Sequence, residues 1–280
     1  MTISMIAKPG GLTTAHVARV DGPVRWLSDG EAAEIEGTLP DGLREELDSQ
    51  GVDVNLLPDG ARRKKLLIAD MDSTMIQQEC IDEMAAHAGI GEKVAGITAL
   101  AMDGKLGFEE AMAERVGLVK GLPLAALQEV YDDRITLMPG GPVLLATMRD
   151  NGSFAALVSG GFTFFTERVA ARLGFNENRA NVLLEDGDVL SGDVQRPILG
   201  RESKVQALEE LTAQLGIGED DALAVGDGAN DLGMLGRAGL GVAIHAKPSV
   251  QAQCDVRINH GDLTALLFLQ GYARSEFVEA

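Results

Sequence analysis

The chain has 280 residues, enough for one or two domains, and its 45% hydrophobic and 24% charged residues are ordinary for a globular protein with a sizeable core. With 24 basic against 43 acidic residues the net charge is −19, which excludes the basic face that a nucleic-acid binder needs. No run approaches the roughly 18 apolar residues of a membrane span, and the first ten residues hold no apolar core of signal-peptide length. Cys80 and Cys254 stand far apart with no other metal-type ligands beside them, so they read as free, buried thiols. These features predict a cytoplasmic, reduced, acidic protein with neither a nucleic-acid nor a membrane partner.

Taken in chain order, residues 1–63 read as a small N-terminal module whose role the sequence does not disclose. Within 1–60, four basic residues face eleven carboxylates, and periodicity is weak. Short pieces are punctuated by Asp21-Gly22-Pro23, Pro40-Asp41-Gly42 and Pro58-Asp59-Gly60. The basic run Arg62-Arg63-Lys64-Lys65 reads as the solvated flank of the strand that follows it. Residues 64–280 read as a second domain of a different kind. Leu66–Ala69, Phe154–Val158, Ala222–Val225 and Gly239–Ile244 are short, continuous apolar runs that suit strands buried on both faces. Helical patterns lie between them at Pro142–Asp150, Phe164–Leu173 and Lys204–Leu215, so the expected class is α/β with a parallel sheet. One interval breaks the alternation. Residues 76–138 contain no strand-like run but several amphipathic helices, roughly 76–88, 92–102, 107–119 and 123–134, which predicts a helical cap inserted after the first core strand. The core is then 64–75 and 139–280, with a hairpin around the Asp186-Gly187 turn.

Ligands of such sheets bind beyond the carboxyl ends of the strands, so the residues there carry the chemical argument. The first strand ends in Asp70-Met71-Asp72-Ser73-Thr74. With 22 Asp in the chain about 1.7 Asp-x-Asp pairs are expected by chance, so the pattern alone has no weight. Asp70 and Asp72 differ from the second pair, Asp186 and Asp188, in following a buried strand, where residues two apart address the same space. The second strand ends in Ser159-Gly160-Gly161, a hydroxyl with small-residue amides at a helix start. A later strand ends in Gly226-Asp227-Gly228-Ala229-Asn230-Asp231, and Lys204 lies near the start of a helix. Each string has an ordinary reading as a turn, a cap or an exposed lysine. Together at one edge of one sheet they describe metal-assisted phosphoryl transfer.

These four ordered motifs resemble those of the haloacid dehalogenase superfamily, over roughly residues 64–275, and within it the branch that acts on phosphoserine. The resemblance implies a Rossmann-like parallel core, with Asp70 as nucleophile and Asp72 as general acid and base. It also implies Mg²⁺ held by Asp70, Asp227 and a backbone carbonyl at Asp72, and phosphoryl oxygens bound by Ser159, Gly160 and Lys204. Asn230 would contact substrate, while Asp231 would steady the metal or Lys204. Some bacterial members carry ACT-type regulatory modules ahead of this core, which the weak patterning of residues 1–60 matches poorly.

Specificity must come from the cap. Arg115 intrudes on an apolar stripe made by Phe108, Met112, Val116 and Val119, and Glu79 lies at the mouth of the insertion. One cation and one anion match a substrate carboxylate and ammonium, and the family places such residues, with Phe108, around the amino-acid part. The implied partner is a small phosphoamino acid, O-phosphoserine, hydrolysed through an aspartyl-phosphate as the last step of L-serine biosynthesis. The same machinery acting on another small phosphate, or transferring the phosphoryl group to an alcohol, remains the alternative. A non-catalytic sensor on this fold would be expected to lack Asp70.

Overall fold

The computed structural model describes residues 1–58, 60–102 and 106–279; Asp59, part of one expected turn, lies outside them. The N-terminal segment is better organised than its sequence suggests. It forms β1 (Thr2–Ala7), α1 (Thr14–Val17), β2 (Val24–Ser28), β3 (Ala32–Glu36), α2 (Leu43–Asp48) and β4 (Val52–Leu56). The strands make an antiparallel sheet in the order β2-β3-β1-β4, a ferredoxin-like βαββαβ arrangement. Ile3, Met5, Ala33, Ile35, Val52 and Val54 pack on one face of that sheet against Val17, Leu43 and Leu47 of the two helices. The opposite face is buried too. Ile6, Leu27 and Ala32 join the main core, so away from the exposed edge strand β2 the second face of this sheet is covered and no clean alternation arises.

The larger sheet begins at β5 (Leu66–Ala69). The chain then leaves for the cap: α3 (Cys80–His87), α4 (Gly91–Met102), α5 (Phe108–Leu118) and α6 (Leu124–Arg134). All four helices lie where the amphipathic patterns place them, except that residues 76–79 are not helical. There Gln77 N–H donates to Thr136 O (3.0 Å) and Met138 N–H to Met75 O (2.9 Å), so the chain enters and leaves the cap side by side. The core resumes with α7 (Gly141–Asp150), β6 (Phe154–Phe162), α8 (Thr163–Leu173) and β7 (Glu177–Asn181). A hairpin of β8 (Leu183–Asp186) and β9 (Val189–Val194) follows, turning at Gly187 (φ 62°). Its backbone is tied to the cap, Gly121 N–H donating to Leu190 O at 2.8 Å and Leu124 N–H to Asp188 O at 2.9 Å. Last come α9 (Arg201–Leu215), β10 (Ala222–Gly226), α10 (Leu232–Leu235), β11 (Leu240–Ile244), α11 (Pro248–Gln251), β12 (Val256–Ile258) and α12 (Ala265–Leu269).

The six strands run parallel in the order β12-β11-β10-β5-β6-β7. The expected α/β class and parallel sheet are therefore observed. The four apolar runs are its four interior strands, and β5 and β10 are buried along their whole length. The two strands that the sequence does not announce are the edges. Here β7 is polar and β12 has three residues, as suits edges that must not recruit further strands. This order sets β5 between β10 and β6, so the segments leaving three adjacent strands converge. Among the described residues no helix is long and apolar enough to cross a membrane.

The basic run before β5 is only in part a solvated flank: Arg63 and Lys65 are exposed, while Arg62 and Lys64 are drawn into the fold. Arg62 donates to Leu269 O and pairs with Glu34, Arg63 pairs with Glu276 and lies over the Tyr272 ring, and the 6% exposed Lys64 donates to Asp220 O at 2.7 Å. Both cysteines are free, Cys80 buried and Cys254 half-buried.

Candidate active site

Asp70 is the first residue beyond β5, its backbone N–H donating to Val225 O of the adjacent β10 (3.0 Å). The side chain is buried, and its Oδ1 lies 2.7 Å from Lys204 Nζ, which also contacts Asp231 Oδ1 at 2.5 Å. Lys204 is 1% exposed and Asp231 is fully buried, so one ammonium is shared between two desolvated carboxylates. Burial alone would lower the lysine's pKa; Asp70 and Asp231 reverse that and hold it above its ordinary value. Asp231 in turn accepts from Gly228 N–H at 2.9 Å, which fixes the loop after β10. A Cβ on Gly226 would collide with the Asp231 carboxylate, so that loop needs glycine where the sequence has it.

Asp227 lies on the same loop, and its Oδ1 accepts from Thr74 Oγ1 at 2.9 Å. Carboxylate oxygens of Asp70, Asp227 and Asp231 lie within 4.8 Å of one another. Three carboxylates against one lysine are under-compensated. Burial, with Asp231 adding to it, raises Asp70 well above the carboxylate range and pushes Asp227 up to about 6. An all-oxygen donor set with surplus negative charge fits a hard divalent cation, whose charge would bring both groups back down. Asp72 is directed differently. Its Oδ1 accepts the Cys80 backbone N–H at the start of α3 (3.0 Å), and burial raises its pKa.

Ser159 ends the apolar part of β6, and its Oγ accepts Gly161 N–H at 2.8 Å. A Cβ on Gly161 would stand 2.6 Å from Asp72 Oδ2 and 3.0 Å from Ser159 Oγ, so this glycine lets Asp72 and Ser159 face one another. Phe108, at the start of α5 and 39% exposed, stands over Gly160 and Gly200, bringing the cap down onto the core. Glu79, an exposed residue just before α3, accepts from Ser73 Oγ at 2.7 Å. Burial, then Asp72, pushes its carboxyl up to about 7, although part of the side chain reaches solvent. Arg115 is half-buried on α5, its Nε donating to Ala111 O at 3.2 Å. Asn230 is half-buried, with its amide beside Gly228.

Three further residues shape the site. Thr74, inside the quoted first motif, could have been found as a hydroxyl one turn beyond the carboxylates. Gly161 carried a signal only as the second glycine of its string. Asn181 carried none: from an edge strand it donates to Gly160 O at 2.8 Å and accepts Leu199 N–H at 2.7 Å, tying the second motif to the segment before Lys204.

Residues 67–236 match the haloacid dehalogenase-like hydrolase family, and the chain belongs to it. Among curated proteins it is similar to the phosphoserine phosphatase of Polaromonas sp., 47% identical over 73% of this chain and 89% of the relative. A haloacid dehalogenase family hydrolase from Salmonella enterica serovar Typhi superimposes with a TM-score of 0.85 at 32% identity, over 96% of this chain and 97% of its own. A probable phosphoserine phosphatase from Vibrio cholerae does so with a TM-score of 0.81 at 32% identity, over 98% of this chain and 87% of its own. Within the family the chain takes its place in the phosphoserine phosphatase branch. The two superpositions extend over the N-terminal βαββαβ unit as well as the core.

Proposed function

We propose that the chain hydrolyses O-phosphoserine to serine and phosphate, the step that completes a route to L-serine, through an aspartyl-phosphate on Asp70. The observation that carries this reading is the convergence of Asp70, Asp227 and Asp231 beyond adjacent strands with one buried lysine between Asp70 and Asp231, beside the Ser159 end of the next strand. Asp70 attacks phosphorus in line, and the bond from phosphorus to the serine oxygen breaks. Asp72, whose pKa burial raises, gives a proton to the departing alkoxide. It then takes a proton from the water that attacks the phosphoenzyme, and phosphate leaves with Asp70 restored. Lys204, Ser159 Oγ and the Gly160 backbone hold the phosphoryl oxygens, while Asp231 keeps the lysine aimed.

Mg²⁺ held by Asp70, Asp227 and the Asp72 carbonyl would neutralise phosphoryl charge and draw Asp70 into its ionised form. Glu79 takes the substrate ammonium, Arg115 its carboxylate, Asn230 contacts the substrate, and Phe108 closes over it. In this reading residues 1–63 form a module of their own, 76–138 the cap, and 64–75 with 139–280 the catalytic core. The test is phosphate release from a panel of phosphoamino acids and sugar phosphates, with Mg²⁺ and with EDTA. Phosphoserine should lead the panel and EDTA should abolish release. A sugar phosphate leading it would transfer the same chemistry to another substrate.

A further inference from the structure

Strand β6 and the edge strand β7 do not pair evenly. Val158 is opposite Arg179 and Phe162 is opposite Asn181, so Ser159, Gly160 and Gly161 together face Ala180 alone. Such a bulge re-aims backbone groups that would otherwise serve the ladder and leaves them to find other partners. Two successive glycines also make this stretch costly to hold in one shape. Asn181, 2% exposed, supplies the hold. Its Nδ2 donates to Gly160 O at 2.8 Å and to Leu199 O at 3.1 Å, and its Oδ1 accepts Leu199 N–H at 2.7 Å. The orientation of the amide is fixed, because reversed it would set its oxygen against two carbonyl oxygens. Leu199 and Gly200 lead straight into α9, whose fourth residue is Lys204, so one buried amide joins the bulge to the helix that carries the lysine. Phe108 rests on both segments: a Cβ on Gly160 would stand 3.3 Å from its ring and one on Gly200 3.1 Å.

We propose that Asn181 is a positioning residue for the phosphoryl group: it holds the Ser159–Gly161 bulge and the start of α9 at one spacing, so that the Gly160 backbone and Lys204 reach the same oxygens. The proposal rests on the reading that these two groups bind the phosphoryl oxygens. A glycine backbone set in place beforehand binds an anion without first having to be ordered. Among the described residues the Asn181 side chain bonds to backbone groups of Gly160 and Leu199, and to neither Glu79 nor Arg115. Its loss should therefore reach the phosphoryl end of any monoester alike and leave the choice among substrates unchanged.

The experiment compares the unaltered protein with Asn181→Ala and Asn181→Asp. It reads kcat and KM for phosphoserine and for phosphoethanolamine, which lacks the carboxylate, together with competitive inhibition by inorganic phosphate and the melting temperature. Asn181→Ala should raise the inhibition constant of phosphate about tenfold and raise KM by a similar factor for both substrates, with kcat changed less than about threefold. Asn181→Asp keeps the size of the side chain and the acceptor for Leu199 N–H and loses only the donor, so it carries the same expectation if the alanine variant does not fold. A lower melting temperature with phosphate inhibition and both KM values unchanged would make Asn181 a purely structural amide and overturn the proposal. A loss confined to phosphoserine would overturn it too, by placing the effect at the amino-acid part beneath Phe108. Failure of the underlying reading looks different, because the unaltered protein would then not be inhibited by phosphate at all.

Discussion

The four-stranded antiparallel sheet and the six-stranded parallel sheet each bury residues on both faces, yet they bury different things. In the parallel sheet, Leu66–Ala69 and Ala222–Gly226 are apolar on both sides, and polar chemistry is confined to the segments beyond the strand ends. In the antiparallel sheet the edge strand β4 reads Val-Asp-Val-Asn-Leu. Its valines enter the core beneath the two N-terminal helices, while Asp53 (2% exposed) and Asn55 (0%) point at residues 257–261. Asp53 accepts backbone N–H groups of Asn259 (2.6 Å) and Gly261 (2.9 Å), and of His260 between them. Asn55 pairs both ways with the backbone of Arg257, at 2.9 Å each, as a neighbouring strand would. Buried polar groups therefore do two kinds of work here. Around Lys204 they are under-compensated and prepared for a ligand; beneath β4, Asp53 and Asn55 spend their side chains on backbone groups of residues 257–261 and tie β4 to that segment.

Substitutions should separate these roles, and the largest effect belongs to the core. Asp70→Asn should take phosphoserine turnover to background while leaving the melting temperature unlowered, because the change removes a carboxylate that burial and Asp231 both oppose. Retention of more than a few per cent of activity would break the division. Asp53→Ala should show the converse, losing about 3 kcal/mol of stability in urea unfolding as three buried amides lose their acceptor. The folded fraction should keep its kcat. Asn55→Ala should follow the same pattern at about 1–2 kcal/mol, since one side chain serves one backbone residue.

The smallest effect is a pH dependence. Glu79 has a folded pKa raised from 4.5 to about 7, so the native state binds its proton more tightly than the unfolded chain does, and stability falls as pH rises through that window. Glu79→Gln should flatten the fall of melting temperature between those pH values by an amount reduced by its contact with solvent. An unchanged slope would mean that the ring of carboxylates is better compensated than its geometry indicates.

The same contrast explains what the sequence could disclose. The apolar runs 66–69, 154–158, 222–225 and 239–244 have no reading except a buried parallel sheet, and the strings after them point to one edge. Strand ends and helix starts are local features, so the residues that gather around Lys204 could be named before any contact was known. The module resisted because its outward strand positions are polar and yet buried, so Asp53 and Asn55 look like surface residues in a chain of letters. Lys64 misled for the same reason: its partner, the Asp220 carbonyl, lies 156 positions away. The edge strands β7 and β12 are short or polar by necessity, which removes the signal that marks an interior strand.

The central claim is that Asp70 carries the phosphoryl group between substrate and water. Rapid acid quenching of the Mg²⁺-loaded protein during turnover of ³²P-labelled phosphoserine, followed by peptide mapping, tests it most directly. The account predicts an alkali-labile label on the peptide that contains Asp70, absent from Asp70→Asn. Phosphate release at full rate with no protein-bound label, or with the label on Ser73 or Ser159 instead, would contradict it.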